Sequence, residues 1–187
     1  IIFMSCDKKQ PVEKDTVISK ENRKTPDFSK GVMNEEILWY LGRITDPKLS
    51  PDGKTLLFGI KYFDYRLNKG NMDLYTMPVA GGEPKQITKT AENESDAIWT
   101  PDGRKIAFLA PLDGKMQIWE MDPDGSNRKV ISNAPDDINA FSYAPDMKHV
   151  VYAMRVQLDP TITDRYPDLP LANAKIYDDL MYRHWND

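Results

Sequence analysis

The chain has 187 residues, of which 40% are apolar and 29% are charged, and this balance excludes a chain that is disordered throughout. The net charge of −4, without a basic stripe, argues against nucleic acid as a partner, and no run of 18 apolar residues could span a membrane. One cysteine cannot form an internal disulfide, and with two histidines it makes a poor zinc site, so we expect no metal and no other cofactor.

The N-terminal residues have the order of a processed leader. Apolar residues 1–4 and the small Ser5 precede Cys6, and a charged run that contains proline follows. This order resembles the end of a bacterial lipoprotein signal. The resemblance implies that residues 1–6 are the end of that signal and that Cys6 is acylated. The alternative is a cysteine that acts as a small buried apolar residue.

Residues 7–30 are rich in Lys, Asp, Glu, Ser, Thr and Pro and poor in large apolar side chains. Such a segment buries too little surface to offset the entropy lost on ordering, so its composition predicts a flexible tether. With a lipid on Cys6, the protein would be periplasmic or at the cell envelope, and the lipid would be its only contact with the membrane. The chain begins with Ile1 rather than Met, and we expect it to be a fragment of a longer protein.

A short helix is predicted over residues 34–42. Asn34 is a favourable N-cap, and apolar residues then recur at helical spacing. Glu35 and Glu36 would lie in the first turn, where carboxylates interact favourably with the helix dipole. This preference explains the adjacent glutamates better than a site for a substrate's amino group does.

The sequence repeats from residue 44 onward. Pro-Asp-Gly at residues 51–53 recurs at residues 101–103 and, as Pro-Asp-Met, at residues 145–147. Proline and glycine favour the two corners of a tight turn, and the aspartate can accept a hydrogen bond from the backbone ahead. The prolines are 50 and 44 residues apart, and this period is typical of propeller blades.

Strands are predicted on both sides of each turn, because apolar residues alternate there as in a strand with one buried face. The matching sets are Leu56, Phe58 and Ile60; Ile106, Phe108 and Ala110; and Val150, Tyr152 and Met154. Residues 72–77 also match residues 116–121, and residues 86–88 match residues 130–132. The first copy is longer by an insertion around residues 62–69.

These units predict an all-β protein with blades at about residues 44–90, 91–133 and 134–187, the last incomplete. The expected fold is an incomplete β-propeller of four-stranded antiparallel blades over residues 31–187. A short N-terminal helix and a short C-terminal helical segment would accompany it. One such sheet leaves both faces partly apolar and is stable only when stacked beside others.

The repeats over residues 44–158 resemble the WD40-like, or PD40, repeats of bacterial β-propellers. Such repeats occur in the propeller protein of the Tol system and in the N-terminal domain of prolyl-oligopeptidase-family serine peptidases. The latter include dipeptidyl peptidases and acylaminoacyl peptidases. The helix at residues 36–44, leading into residues 46–53, and the run at residues 164–185 are similar to segments of the peptidases.

The peptidase resemblance implies a propeller that controls the access of short peptides to an α/β-hydrolase domain. That domain needs a Gly-x-Ser-x-Gly elbow, which this sequence lacks. We expect His149 to be a solvated strand residue and His184 to be structural, so no catalytic residue is expected in this chain. Peptides would be partners only through the missing domain, and substrate-contacting residues are not assigned. The alternatives are a non-catalytic binding propeller of the envelope, similar to the Tol protein, and a self-standing small β domain.

Two residue sets could be mistaken for sites. Asp52, Asp102 and Asp146 are spaced like a carboxylate set, but turn chemistry accounts for each without a metal. Trp99, Trp119 and Tyr143 could form a stacking surface, but they align with apolar residues of the other units, so blade packing is the favoured interpretation. Residues 160–170 are expected to form an insertion loop at the propeller's edge.

Overall fold

The computed structural model describes residues 17–19, 23–156 and 160–171. The chain divides into two compact units, residues 1–154 and residues 155–187. No helix in the described part of the chain is both long and apolar enough to cross a bilayer. The described elements of the first unit are α1 (Glu35–Tyr40), β1 (Arg43–Leu49), β2 (Thr55–Asp64), β3 (Lys69–Pro78), β4 (Lys85–Gln86), β5 (Ser95–Trp99), β6 (Ile106–Leu112), β7 (Lys115–Met121), β8 (Lys129–Val130), β9 (Ile138–Tyr143) and β10 (Val150–Met154); the second unit contains α2 (Ile162–Arg165).

Helix α1 begins where the sequence predicts. The Oδ1 atom of the N-cap Asn34 accepts a hydrogen bond from the backbone N–H of Ile37 at 2.9 Å. Glu35 and Glu36 occupy the first turn, which confirms their predicted role. The helix ends at Tyr40, within two residues of the predicted end.

The first repeat forms a four-stranded antiparallel sheet whose strands follow chain order, β1-β2-β3-β4. Strands β2 and β3 pair over their whole length, from Thr55 opposite Pro78 to Asp64 opposite Lys69. The predicted insertion around residues 62–69 therefore lengthens this hairpin and forms its tip.

The second repeat forms a sheet of the same order, β5-β6-β7-β8, and β9 pairs with β10 as the beginning of a third. The first two sheets share an irregularity. The register of their first two strands shifts around Asp46 in one and Asp96 in the other, and these residues have positive φ values of 47° and 51°. A bulge at the same place confirms that the units are structural repeats.

The prediction of one buried face per strand is wrong for the second sheet. Residues 106–110 of β6 are all buried, without alternation. On one side Phe108 packs with Leu57 of the first sheet, and on the other Leu109 packs with Ile138 of β9. Because neighbouring strands cover both faces of this sheet, both sets of side chains are apolar.

Part of the N-terminal segment packs against the first sheet, in contrast to the flexible tether that composition predicts for residues 7–30. Ile18 is buried in a cluster with Phe58 and Ile60. Arg23 is buried as well, and its guanidinium carbon lies 4.5 Å from the centre of the Tyr62 ring. A count of apolar residues does not reveal such packing. One isoleucine and one arginine are enough to hold the segment against the sheet when they contact aromatic residues of a distant strand.

The described residues of the second unit include the predicted insertion loop, which contains α2. This helix begins with a capping box: Thr161 Oγ1 accepts from the N–H of Asp164 at 3.1 Å, and Asp164 Oδ2 accepts from the N–H of Thr161 at 2.7 Å. The predicted C-terminal helical segment with His184, and the predicted lipidation site Cys6, lie outside the described residues.

Candidate functional site

The three repeated aspartates act in turns, as the sequence predicts. Each Oδ1 atom accepts a hydrogen bond from the backbone N–H two residues ahead, at 3.1 Å for Asp52, 3.1 Å for Asp102 and 3.0 Å for Asp146. Asp52 and Asp102 also accept from the hydroxyl two residues before, of Ser50 and Thr100. The hydroxyl bond, followed by the backbone bond, holds the pKa of both carboxyls below its usual value.

A groove of about 540 Å³ lies between the first two turns, with Pro51 on one side and Pro123 and Trp99 on the other. Trp99 and Trp119 pack against the apolar cluster between the first two sheets, so the predicted packing role of these residues is confirmed. Trp119 Nε1 donates to the carbonyl oxygen of Ala110 at 3.1 Å. These indoles therefore serve the fold and do not form an open stacking surface.

Among the described residues no group of three or more His, Cys, Asp or Glu side chains is placed to hold a metal ion. His149 directly precedes β10, and its side chain is 77% exposed. Its Nδ1 atom lies 3.9 Å from Asp146 Oδ2 in the third turn. It is solvated, as predicted, but its predicted place on a strand is wrong, because β10 begins only at Val150.

A second cleft, of about 110 Å³, lies where α1 meets the tip of the β2–β3 hairpin. The residues that line it are Arg23, Lys24, Pro26, Glu36, Trp39, Tyr40, Phe63, Asp64, Tyr65 and Arg66. Aromatic faces and charges of both signs therefore meet in one depression. No serine, cysteine or histidine belongs to this described lining.

Arginine side chains stack on aromatic rings in the lining of the cleft and directly beside it. The Arg23 guanidinium lies between the rings of Tyr40 and Tyr62, at 4.6 and 4.5 Å from their centres. Arg43 lies 4.5 Å from the centre of the Phe63 ring, which meets the Trp39 ring edge to face at 5.6 Å. Stacking of this kind fixes long side chains that would otherwise be mobile.

Sequence reasoning did not single out this cleft. The available signal was the density of aromatic and arginine residues in two short stretches, residues 39–43 and 62–66. The repeats gave no hint of it, because one stretch precedes the first repeat and the other is the part of the first repeat that the second lacks. Only the pairing of β2 with β3 and the position of α1 bring the two stretches together.

Comparison with known proteins relates the chain to two groups. Dipeptidyl-peptidase 5 of Porphyromonas gingivalis is 37% identical over 155 residues, which are 83% of this chain and 23% of that protein. Dipeptidyl-peptidase 5 of Porphyromonas endodontalis is 30% identical over 156 residues, with the same coverage of 83% and 23%. The chain thus spans about a quarter of the length of these relatives.

Two solved structures have a similar fold. TolB from Acinetobacter baumannii superposes with a TM-score of 0.50 and 25% identity, over 60% of this chain and 27% of that one. Acylaminoacyl peptidase from Pyrococcus horikoshii superposes with a TM-score of 0.52 and 20% identity, over 66% of this chain and 20% of that one. At 20% identity, the similarity to the acylaminoacyl peptidase is evidence for the fold alone.

The profile of the family described as the TolB beta propeller domain matches residues 32–168. This range begins just before α1 and includes both four-stranded sheets and the hairpin of the third. The predicted fold class is thereby confirmed, since the sheets of the described residues are antiparallel, repeated and not closed into a ring. The chain therefore belongs to the PD40 family of TolB-type β-propeller domains, of which it contains an incomplete propeller.

Proposed function

We propose that this chain is the N-terminal propeller portion of a prolyl-oligopeptidase-type serine peptidase that hydrolyses short peptides. The observation that carries the proposal is the 37% identity to a dipeptidyl-peptidase over 83% of the chain. The catalytic serine, aspartate and histidine belong to an α/β-hydrolase domain outside these 187 residues. The absence of Gly-x-Ser-x-Gly from the sequence agrees with that arrangement.

The propeller acts as a steric filter. A closed ring of blades in front of a catalytic centre admits an extended oligopeptide and rejects a folded protein, because a folded domain is wider than the opening. The blades do no chemistry in this scheme. Their contribution is to set which substrates reach the nucleophile.

We assign the hydrolase domain to the face on which α1 leads into β1. Three large apolar side chains are exposed there: Leu38 is 51% exposed, Leu41 45% and Ile44 66%. The opposite end of β1 holds the turn at residues 50–54. The flanks of the sheets are where the missing blades would stack, so they are not available to the hydrolase domain. A domain that covers the α1 face would bury these side chains, and the aromatic cleft would then open toward the substrate chamber.

The test begins with the reading frame downstream of Asp187. A Gly-x-Ser-x-Gly elbow followed by Asp and His is expected, and the protein that contains it should release a fluorophore from dipeptidyl-coumarylamides. A serine-to-alanine change in the elbow should abolish release, and the 187-residue chain alone should release none. A stop codon after further Pro-Asp-Gly repeats, with no elbow, would refute the proposal.

The second candidate function is a non-catalytic binding propeller of the cell envelope. The 25% identity to TolB over 60% of the chain favours it. In this case the downstream frame should contain only blades, and the protein should be recovered with envelope proteins after crosslinking. The hydrolysis assay separates the two candidates directly.

We further propose that the protein is exported and attached to the envelope through a lipid on Cys6. The order of residues 1–6 supports this, and the likeness to TolB is compatible with it. Radiolabelled palmitate should be incorporated by the full-length protein and not by a Cys6→Ala variant. Equal labelling of both, or recovery of the unaltered protein in the cytoplasmic fraction, would refute the anchor.

A further inference from the structure

A buried polar cluster lies where the first two sheets meet. Asp73 on β3 and Glu94, just before β5, are both fully buried. The hydroxyls of Thr88 and Thr90 lie on the connection between the sheets and are part of the same cluster. Two carboxyls inside an otherwise apolar junction are costly, so their partners decide whether each is charged.

Glu94 is well supplied with hydrogen-bond donors. It accepts hydrogen bonds from Thr90 Oγ1 at 2.7 Å, from Thr88 Oγ1 at 3.1 Å and from Arg128 Nη1 at 2.9 Å. Arg128 comes from the β7–β8 turn of the second sheet, and its guanidinium also stacks on Trp119 at 4.7 Å. The ion pair therefore fastens the outer part of the second sheet to the connection from the first.

Asp73 is supported much less. Its carboxylate accepts from Asn71 Nδ2 at 3.2 Å and from the backbone N–H of Thr90 at 3.3 Å. Burial raises the pKa of Asp73 to about 6, and the negative charge of Glu94 adds to that rise, whereas hydrogen bonds from Thr90, Asn71 and the Thr88 side chain oppose it. Arg128, the cation of this cluster, is bound to Glu94.

The other charged groups near Asp73 are turned toward solvent. On the connection these are Lys89 and Glu92, and on β5 the nearest is Asp96, all three exposed. On β2, Lys61 is half-buried, and it lies opposite Met72 in the pairing with β3. Asp73 itself lies opposite Ile60, which is apolar.

At the position of Asp73, the second junction has a neutral side chain in place of a carboxyl. Gln117 occupies the position of Asp73 in the second repeat, and Ile138 occupies that of Glu94. Gln117 Oε1 accepts from Ser132 Oγ and from the N–H of Ala134, both at 2.8 Å. A neutral amide is thus sufficient for the fold at this position, and the carboxyl is specific to the first junction.

We propose that the Asp73–Glu94–Arg128 cluster makes the junction between the first two blades sensitive to protons. In mildly acidic solution Asp73 takes one proton from water and becomes neutral, so the junction holds one anion and one cation. Near neutral pH the proton returns to solvent, a second buried anion forms beside Glu94, and the blades are joined less tightly.

The sign of the effect follows from the direction of the pKa shift. A group whose pKa is higher in the folded chain stabilises the fold below its unfolded pKa and loses this contribution as the pH rises through the folded value. The window for Asp73 runs from 3.8, the unperturbed value, to about 6. A shift of this size corresponds to a change on the order of a hundredfold in the ratio of folded to unfolded chain.

The test compares urea unfolding of the chain and of Asp73→Asn between pH 4.5 and 7.5. The unaltered chain should lose stability over this range relative to the variant, whose curve should be flatter. Asp102→Asn is the matched control, because the Asp102 pKa is lowered and its contribution changes only under more acidic conditions. An equal slope for the chain and for Asp73→Asn would overturn the proposal.

If Asp73→Asn fails to fold, a second measurement on the unaltered chain tests the proposal. The carboxyl carbon of Asp73 in the unaltered chain can be followed by NMR across the same pH range. A titration midpoint near 6 supports the proposal, and a midpoint below 5 overturns it. Release of Arg128 from Glu94 in step with this titration, seen in the guanidinium resonances, would show that the junction itself responds.

Discussion

Gly125, in the turn between β7 and β8, packs against the carbonyl oxygen of Ile87 at the end of the first sheet. A methyl group at this glycine would overlap that oxygen, and the backbone has a φ of 94°. The backbones of the two sheets therefore touch here with no side chain between them. This contact and the Arg128–Glu94 pair come from the same turn, so a single short connection carries two links between the sheets.

Replacing Gly125 with alanine should destabilise the chain by more than about 1 kcal/mol, because both the positive φ and the overlap oppose the new methyl group. Thermal unfolding followed by circular dichroism measures the loss. Gly114→Ala is the matched control, since Gly114 has a φ of 80° and no atom within 4 Å of the added methyl. An equal loss in both variants would show that backbone strain, and not the contact with Ile87, accounts for the effect.

Replacing Met147 with glycine should stabilise the third turn by about 0.5–1 kcal/mol. Met147 has a φ of 58° where the sister turns have Gly53 at 73° and Gly103 at 69°. A side chain in the left-handed region is strained, and glycine removes that strain. The midpoint of urea unfolding should rise, and the reverse change, Gly103→Met, should lower it. A lower midpoint for Met147→Gly would show that the methionine side chain contributes packing that outweighs its strain.

Replacing Arg128 with methionine should cost about 3–5 kcal/mol, because Glu94 would remain buried without its cation. Adding Glu94→Gln should recover a large part of the loss. The control is Lys105→Met, which breaks a 3.1 Å pair with Asp122 whose side chains are both about one-third exposed. That surface pair should contribute less than about 1 kcal/mol. If Arg128→Met behaved like Lys105→Met, the pair would not be a link between the sheets.

Replacing Tyr143 with phenylalanine should destabilise the second junction by about 1.5–3 kcal/mol, since the hydroxyl donates to the carboxylate Glu120 Oε1 at 2.6 Å. Burial, followed by the hydrogen bond to Glu120, raises the pKa of Tyr143 above its usual value. The hydroxyl therefore keeps its proton between pH 6 and 9, and the loss of stability should be constant over this range. Tyr152→Phe is the control, because that side chain is 45% exposed and should change stability by less than about 0.5 kcal/mol. Unequal losses at pH 6 and 9 would contradict this account.

The sequence was informative where structure depends on neighbouring residues. The turns at Asp52, Asp102 and Asp146, the cap at Asn34 and the order of strands all follow from local chemistry that recurs in the chain. The departure at Met147 was also visible, as Pro-Asp-Met in place of Pro-Asp-Gly, and its positive φ shows that the surrounding strands impose the turn even without glycine.

The sequence was uninformative where distant segments meet. Arg128 and Glu94 are separated by 34 residues and have no counterpart in the second junction, so no repeat pointed to them. The position of Arg23 between Tyr40 and Tyr62 depends on the packing of the N-terminal segment. Composition alone predicted that this segment is a flexible, solvated tether. The burial of both faces of β6 could not be predicted without knowing that the β9–β10 hairpin covers the second sheet.

Among the described residues, strand β10 pairs only with β9. Val151 is 73% exposed there, whereas Ala107, its counterpart in the second repeat, is fully buried. The open edge offers backbone donors and acceptors beside apolar side chains, and a strand from any source can add to it. In concentrated solution such a strand can come from another copy of the chain. Size-exclusion chromatography should therefore show self-association that grows with protein concentration. The Val151→Lys variant should show less of this self-association.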